Sequence, residues 1–415
     1  MKKEKVICYG ASSAFERLFF PIKSLYEIIA LSDSNCEKKA VAEKFSIPFV
    51  KPKDILNVEY EKIILTSSYE KEIKGFLVDE LGIKESSIIS MTEFLQEQKR
   101  CFGEKNEDKK ILLLRKMDCA DGMNSMLMNY LYTLEHFPDL EQYDVVIDSK
   151  NYTSIYQNDG KENILYRYFE DKSRVSLEDV YESKNVVLSN AGNLLEPDVL
   201  LEIAKMDRDI CQKEDVRKYF RNLYNQYFRL NREMEKTLQE QIDQYITPVH
   251  RKGKKICAVE DRCYGYNNLK PYGHYIQPEF SETVQLLEKL RDEWGYEKIL
   301  LDTIGLETEK AYKDYFGDMI ISIDRTKVSE NSTKIPEDET KGYRISEKRE
   351  NDQFLQGKEL LVSRYLLAQC DFFYSGISGS SVLPVLLGEN FEDIYIYENG
   401  RFGFEAEAVM GVPRL

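Results

Sequence analysis

The residues best suited to chemistry lie in one run, "EDRCYGYNNLKPYGHYIQPE", residues 260–279, directly behind the apolar segment "KICAV". Arg262 carries a planar, permanently charged guanidinium that can take two oxygens of a diphosphate at once. A cation fixed there stabilises the charge that builds on a departing diphosphate, with no metal required. Lys270 adds a second positive charge, His274 can donate to a hydroxyl or a phosphate, and Gln277 can read hydroxyls. Glu260 or Asp261 offers a base for an incoming hydroxyl, or serves only as a turn residue. A lone arginine on a loop is most simply a surface charge. Here the prolines and glycine of "LKPYGHYIQP" hold the polar groups together, which favours a site.

Two further turns can meet an anionic or hydroxylated ligand. In "YSGISGSSVLP", residues 374–384, Ser378, Gly379, Ser380 and Ser381 open a helix, so small residues, hydroxyls and unpaired N–H groups coincide. In "DCADGMNSM", Asp121, Gly122 and Asn124 do the same before another helix. Plain helix caps are the competing reading of both turns.

Such residues need strand ends to position them. "KVICYG", "YEIIALSDSN" and "KIILTSS" alternate with helical segments, which is the grammar of a parallel sheet. The first turn keeps only Gly10 of a dinucleotide-binding glycine loop; Ser12 and Phe15 stand where further glycines belong, which argues against NAD. Asp33 fits a ribose-binding acid and a turn residue equally well. The charged segment "EQKRCFGEKNEDKK" reads as a linker, with residues 99–110 between a domain at 1–98 and a second unit. That unit, 111–250, opens with "ILLLRKM". It closes with an apolar stripe of Val216, Phe220, Leu223, Tyr227, Leu230, Met234, Leu238 and Ile242, which predicts one long bracing helix. A third unit, 251–415, repeats the alternation. The expected fold is α/β, with three Rossmann-like units and a cleft between the last two.

Composition narrows the classes. A 415-residue chain with 42% hydrophobic residues can bury large cores. Its formal charge of -15 disfavours nucleic acid as a partner. Three histidines and eight scattered cysteines without a CxxC pair leave no metal-ligand spacing. No apolar stretch of roughly 18 residues occurs, so a cytoplasmic location is expected, with at most peripheral membrane association.

Residues 1–98 resemble the nucleoside-diphosphate-sugar epimerase-like Rossmann domains in their "VICYGA" strand, "DSN" turn and third strand ending in serine. "VEDRCYGYNNLKPYGHYIQPE", "LVSRYLLAQCDFFYSGISGSS", "VVIDSKNYTSIYQNDGKENILYRYFE" and "SLEDVY" resemble segments of bacterial surface-polysaccharide glycosyltransferases related to the nodulation-type and α-1,6-fucosyltransferases. The resemblance implies a GT-B fold, an N-terminal lobe at 111–250, a C-terminal donor-binding lobe at 251–415, and metal-independent transfer without a further cofactor. The co-substrate would be a nucleoside-diphosphate sugar, fucose-like in the family's manner, and the acceptor a glycan or lipid-linked oligosaccharide. Arg262 then matches the diphosphate-binding arginine and Ser378 to Ser381 the donor-side turn. In a transferase of this kind the turn at Asp121, Gly122 and Asn124 is expected to face the acceptor. Where the family carries acids, this chain has Gly265 and Ile304-Gly305. Two alternatives stay open: a catalytically silent nucleotide-sugar-binding or scaffold protein, and a pyruvyl or other group transferase on a similar fold.

Overall fold

The computed structural model describes residues 3–67, 69–95, 98–116, 122–149, 156, 163–191, 197–262, 270, 274–329 and 349–402. The expected α/β fold of three Rossmann-like units is the one found.

The first unit is a five-stranded parallel sheet in the order β3-β2-β1-β4-β5. Its strands are β1 (Lys5–Tyr9), β2 (Glu27–Ser32), β3 (Phe49–Val50), β4 (Lys62–Leu65) and β5 (Ile88–Ile89). Helix α1 (Ser13–Leu25) lays Phe15, Leu18 and Ile22 on one face, while Ile55, Leu77 and Ile83 cover the other. Gly10 is needed at the β1 exit. Its φ is +111°, and a Cβ there would lie 2.8 Å from Ser67 Cβ and 3.0 Å from the Thr66 carbonyl oxygen. Asp33 is a turn residue: its two carboxylate oxygens accept from the Ala11 and Asn35 N–H groups at 2.7 and 2.8 Å.

The second sheet runs β6-β9-β7-β8, with β6 (Gln98–Arg100) antiparallel to β9 (Val186–Ala191), and β7 (Ile111–Lys116) and β8 (Asp144–Asp148) parallel. The segment 99–110, expected to act as a linker, is therefore docked rather than loose. Beyond β6, Phe102 N–H donates to the Ser183 carbonyl at 2.8 Å and Lys105 N–H to Glu182 at 2.9 Å.

The predicted single bracing helix is two. After α2 (Met123–His136) and α3 (Pro197–Gln212), α4 (Glu214–Tyr227) stops, and α5 (Arg232–Gln241) restarts behind an Asn231 cap that accepts from Met234 N–H at 3.1 Å. Leu230 leaves the helix to bridge Phe169. The stripe is nonetheless core throughout, because its side chains pack into the same apolar cluster on both sides of the break.

The third sheet, β12-β11-β10-β13-β14, repeats the strand order of the first. It comprises β10 (Ile256–Glu260), β11 (Lys298–Asp302), β12 (Ile320–Ser322), β13 (Phe372–Gly376) and β14 (Asp393–Tyr397), all parallel. The fully buried "ICAVE" of β10 is what a central parallel strand covered on both faces requires. Its helices are α6 (Phe280–Trp294), α7 (Leu306–Phe316), α8 (Asp352–Leu367) and α9 (Gly379–Leu387). One apolar cluster joins Leu114, Leu127 and Leu131 of the second unit to Ala258, Phe373 and Val382 of the third. The second and third units thus share a core.

Candidate functional site

In a sheet of this order the chain leaves β10 toward one side and β13 toward the other, opening a crevice beyond their C-terminal ends. Glu260, Asp261 and Arg262 leave β10 there, and Ile377, Ser378 and Gly379 leave β13.

Ser378 caps α9. Its hydroxyl accepts from Ser381 N–H at 3.1 Å, and Ser381 Oγ accepts in return from Ser378 N–H at 2.9 Å, a reciprocal box at the helix start. Those two hydroxyls serve the turn; the helix start leaves the N–H groups of Gly379 and Ser380 for an outside acceptor. Ser380 Oγ accepts from Asn124 Nδ2 of the second unit at 3.0 Å. Gly379 lies so near α2 that a Cβ on it would be 3.9 Å from Ser125 Cα. The positive ends of α2 and α9 therefore converge from opposite lobes on one point. Asn124 is 5% exposed and its Oδ1 has no partner, so a buried polar atom is left over at this junction.

Arg262 is half-buried. Its charge acts on Tyr156, a residue of the second unit. Burial raises the Tyr156 pKa, while Arg325, the Met123 N–H, Arg262 and Arg364 oppose that rise.

Behind Arg262 lies a cluster of charges that the sequence reading missed. Asp302, ending β11, accepts from Arg325 Nη1 at 2.8 and 3.1 Å, from Arg364 Nη2, and from Ser363 Oγ at 3.3 Å. Arg364 Nη1 also lies 2.9 Å from Glu260 Oε1, as an ion pair without hydrogen-bond alignment. Burial alone would raise the Asp302 pKa, but Arg325 and Arg364 hold it at about 2. A signal was present: Arg364 interrupts the apolar run "LLVSRYLL", and an arginine buried on a helix requires an acid partner.

This cluster corrects the expectation for the acids. Glu260 is 2% exposed and spent on Arg364; Asp261 is 6% exposed and accepts from Tyr312 Oη at 2.8 Å. Neither carboxylate is presented to an acceptor hydroxyl, because both turn inward to neutralise or anchor buried groups. Gln277 is also corrected. Its Nε2 donates to the Tyr275 and Ile377 carbonyls at 3.3 and 3.2 Å, so it staples the 274–278 stretch to the β13 exit instead of reading hydroxyls. Gly376 makes that approach possible, since a Cβ there would sit 2.3 Å from Gln277 Oε1. Lys270 and His274 are exposed, and the His274 carbonyl accepts from Phe402 N–H at 2.9 Å. Gly122 caps α2 with its backbone, next to Asn124. Asp121 and Gly265 lie outside the described residues. Ile304 and Gly305 lead into α7, where both bond or bridge to Val328. Among the described residues, no group of three or more His, Cys, Asp or Glu side chains is placed to hold a metal ion, and no helix is long and apolar enough to cross a membrane.

A family model described as C2185-like, N-terminal, matches residues 2–89. No curated protein matches the chain. Among solved structures, the chain is similar to NodZ α-1,6-fucosyltransferase soaked with GDP-fucose, at 12% identity and a TM-score of 0.38, over 67% of this chain and 93% of that one. It is also similar to a mutant of Arabidopsis thaliana FUT1 in complex with GDP, at 12% identity and a TM-score of 0.37, over 80% of each chain.

Proposed function

We propose that the protein is a glycosyltransferase of the GT-B type that moves a fucose-like sugar from a nucleoside diphosphate to a surface-polysaccharide or lipid-linked acceptor. The observation that carries the reading is the meeting of two helix N-termini, those of α2 and α9, through Asn124, Ser380 and Gly379 beyond the end of β13, with Arg262 following the end of the neighbouring β10. As the glycosidic bond to the donor breaks, negative charge collects on the diphosphate. A fixed guanidinium and oriented N–H groups stabilise that charge more in the transition state than in the ground state. Arg262 thereby supplies the neutralisation that a divalent cation gives elsewhere. In this reading residues 251–415 form the donor lobe, residues 111–250 the acceptor lobe, and Asn124 marks the seam between them. Lys270 and His274 lie on the loop that borders the donor, and the protein works in the cytoplasm, against the membrane when its acceptor is lipid-linked.

A second reading, a silent nucleotide-sugar binder, draws support from the inward-turned Glu260 and Asp261. Thermal unfolding with GDP, UDP, ADP and GDP-fucose separates these readings from any other. At least one nucleotide raises the melting temperature, and Arg262→Ala abolishes the rise. Release of nucleoside diphosphate in the presence of an acceptor extract distinguishes transferase from binder; no melting shift with any nucleotide defeats both.

A further inference from the structure

The geometry points to Arg325 as a second phosphate-gripping cation of this site, an assignment that rests on the nucleotide-binding reading above. Arg325 follows the end of β12, in the strand layer that already carries Arg262, and its side chain is 9% exposed. Both of its hydrogen bonds to Asp302 leave from Nη1. Its Nε is buried and has no partner. A guanidinium offers two donors, Nε–H and one Nη2–H, along a single edge, and that edge matches two oxygens of a phosphate. Asp302 thus holds Arg325 by one nitrogen and leaves the opposite edge for a ligand. Burying an unmade donor costs free energy, which a bound oxygen removes.

Tyr156 of the second unit, 6% exposed, lies within electrostatic reach of Arg325, Arg262 and Arg364, all of which oppose the rise that burial imposes on its pKa. Arg364 is consumed by Glu260 and Asp302, two carboxylates against the two cations Arg325 and Arg364. Within these ion pairs the charges match two to two, and Arg262 supplies the positive charge that attracts the anion. Arg325 adds directional donors. It therefore sharpens recognition of the diphosphate over a monophosphate rather than setting overall attraction.

The test is calorimetric titration of the full chain with GDP, GMP and guanosine, and with UDP, UMP and uridine. Arg325→Gln and Arg325→Lys are expected to lose about ten- to a hundredfold in affinity for the diphosphate, with the nucleoside unaffected. Arg325→Lys keeps the charge beside Asp302 and so keeps the melting temperature, while losing the two-donor edge. On the unaltered protein, the Arg325 Nε–H resonance shifts when the diphosphate is added. Unchanged diphosphate affinity in both variants, or an unmoved resonance while the wild type binds, overturns this assignment alone. If the wild type binds none of these nucleotides, the proposed function falls with it.

Discussion

Replacing Asp302 by asparagine probes the charge cluster that fixes the exits of β10 and β11. The carboxyl is 1% exposed and is held at about 2 against an ordinary 3.8. That difference corresponds to about 2 kcal/mol of stability at neutral pH. Because the folded value is depressed, the contribution is complete above the unfolded value and is lost as pH falls from about 4 toward 2. The neutral amide would also leave Arg325 without its hydrogen-bonded carboxylate and Arg364 with Glu260 alone as its ion-pair partner. Removing one partner of a buried pair costs about 3–5 kcal/mol. With several units in one chain, unfolding is not a single two-state step. Amide protection of β10 and β11 by hydrogen exchange is therefore the better assay. Asp302→Asn is expected to lower that protection strongly at pH 7, with the gap to wild type narrowing by about 1 kcal/mol at pH 3. Equal protection at pH 7, or a gap that does not change with pH, refutes the account of the cluster.

Asp207 predicts the opposite pH dependence. Burial pushes its carboxyl up to about 7, opposed by Arg401, so its folded form favours the proton and stability falls as pH rises from about 4 to 7. Asp207→Asn is expected to raise the melting temperature at pH 8 and to leave it unchanged at pH 4; a fall at pH 8 would count against this. Gly10→Ala is expected to cost the first unit about 1–3 kcal/mol, since its Cβ would collide with Ser67 and Thr66 at a left-handed φ. Limited proteolysis of residues 1–95 would show it, and wild-type resistance would sink the argument.

The sheets were legible because buried parallel strands write themselves as short apolar runs, "KVICY", "ILLL" and "ICAV", separated by polar exits. Positions that could meet a ligand were legible where they sat at those exits, as Arg262 and Ser378 do. The pairings were not. Glu260 looks available until Arg364, far along the chain, is brought beside it, and Gln277 looks like a reader of hydroxyls until Ile377 takes its donor. The break between α4 and α5 was hidden for a related reason. The stripe from Val216 to Ile242 keeps its three- and four-residue spacing across residues 228–231, so periodicity continues where the helix does not. Asn231 before "REME" was the available cap signal. Arg325 is not legible as a site residue because it opens a long polar stretch, although Val328 three residues on bridges Gly305 beyond β11.

The most direct test is a crystal structure of the chain with a bound nucleoside diphosphate. The account predicts the diphosphate at the exits of β10 and β13, with the Arg262 guanidinium on its oxygens and the N-terminus of α9 within hydrogen-bond reach. A nucleotide seated instead on the first unit, or in the crevice with Arg262 turned away from it, contradicts the account.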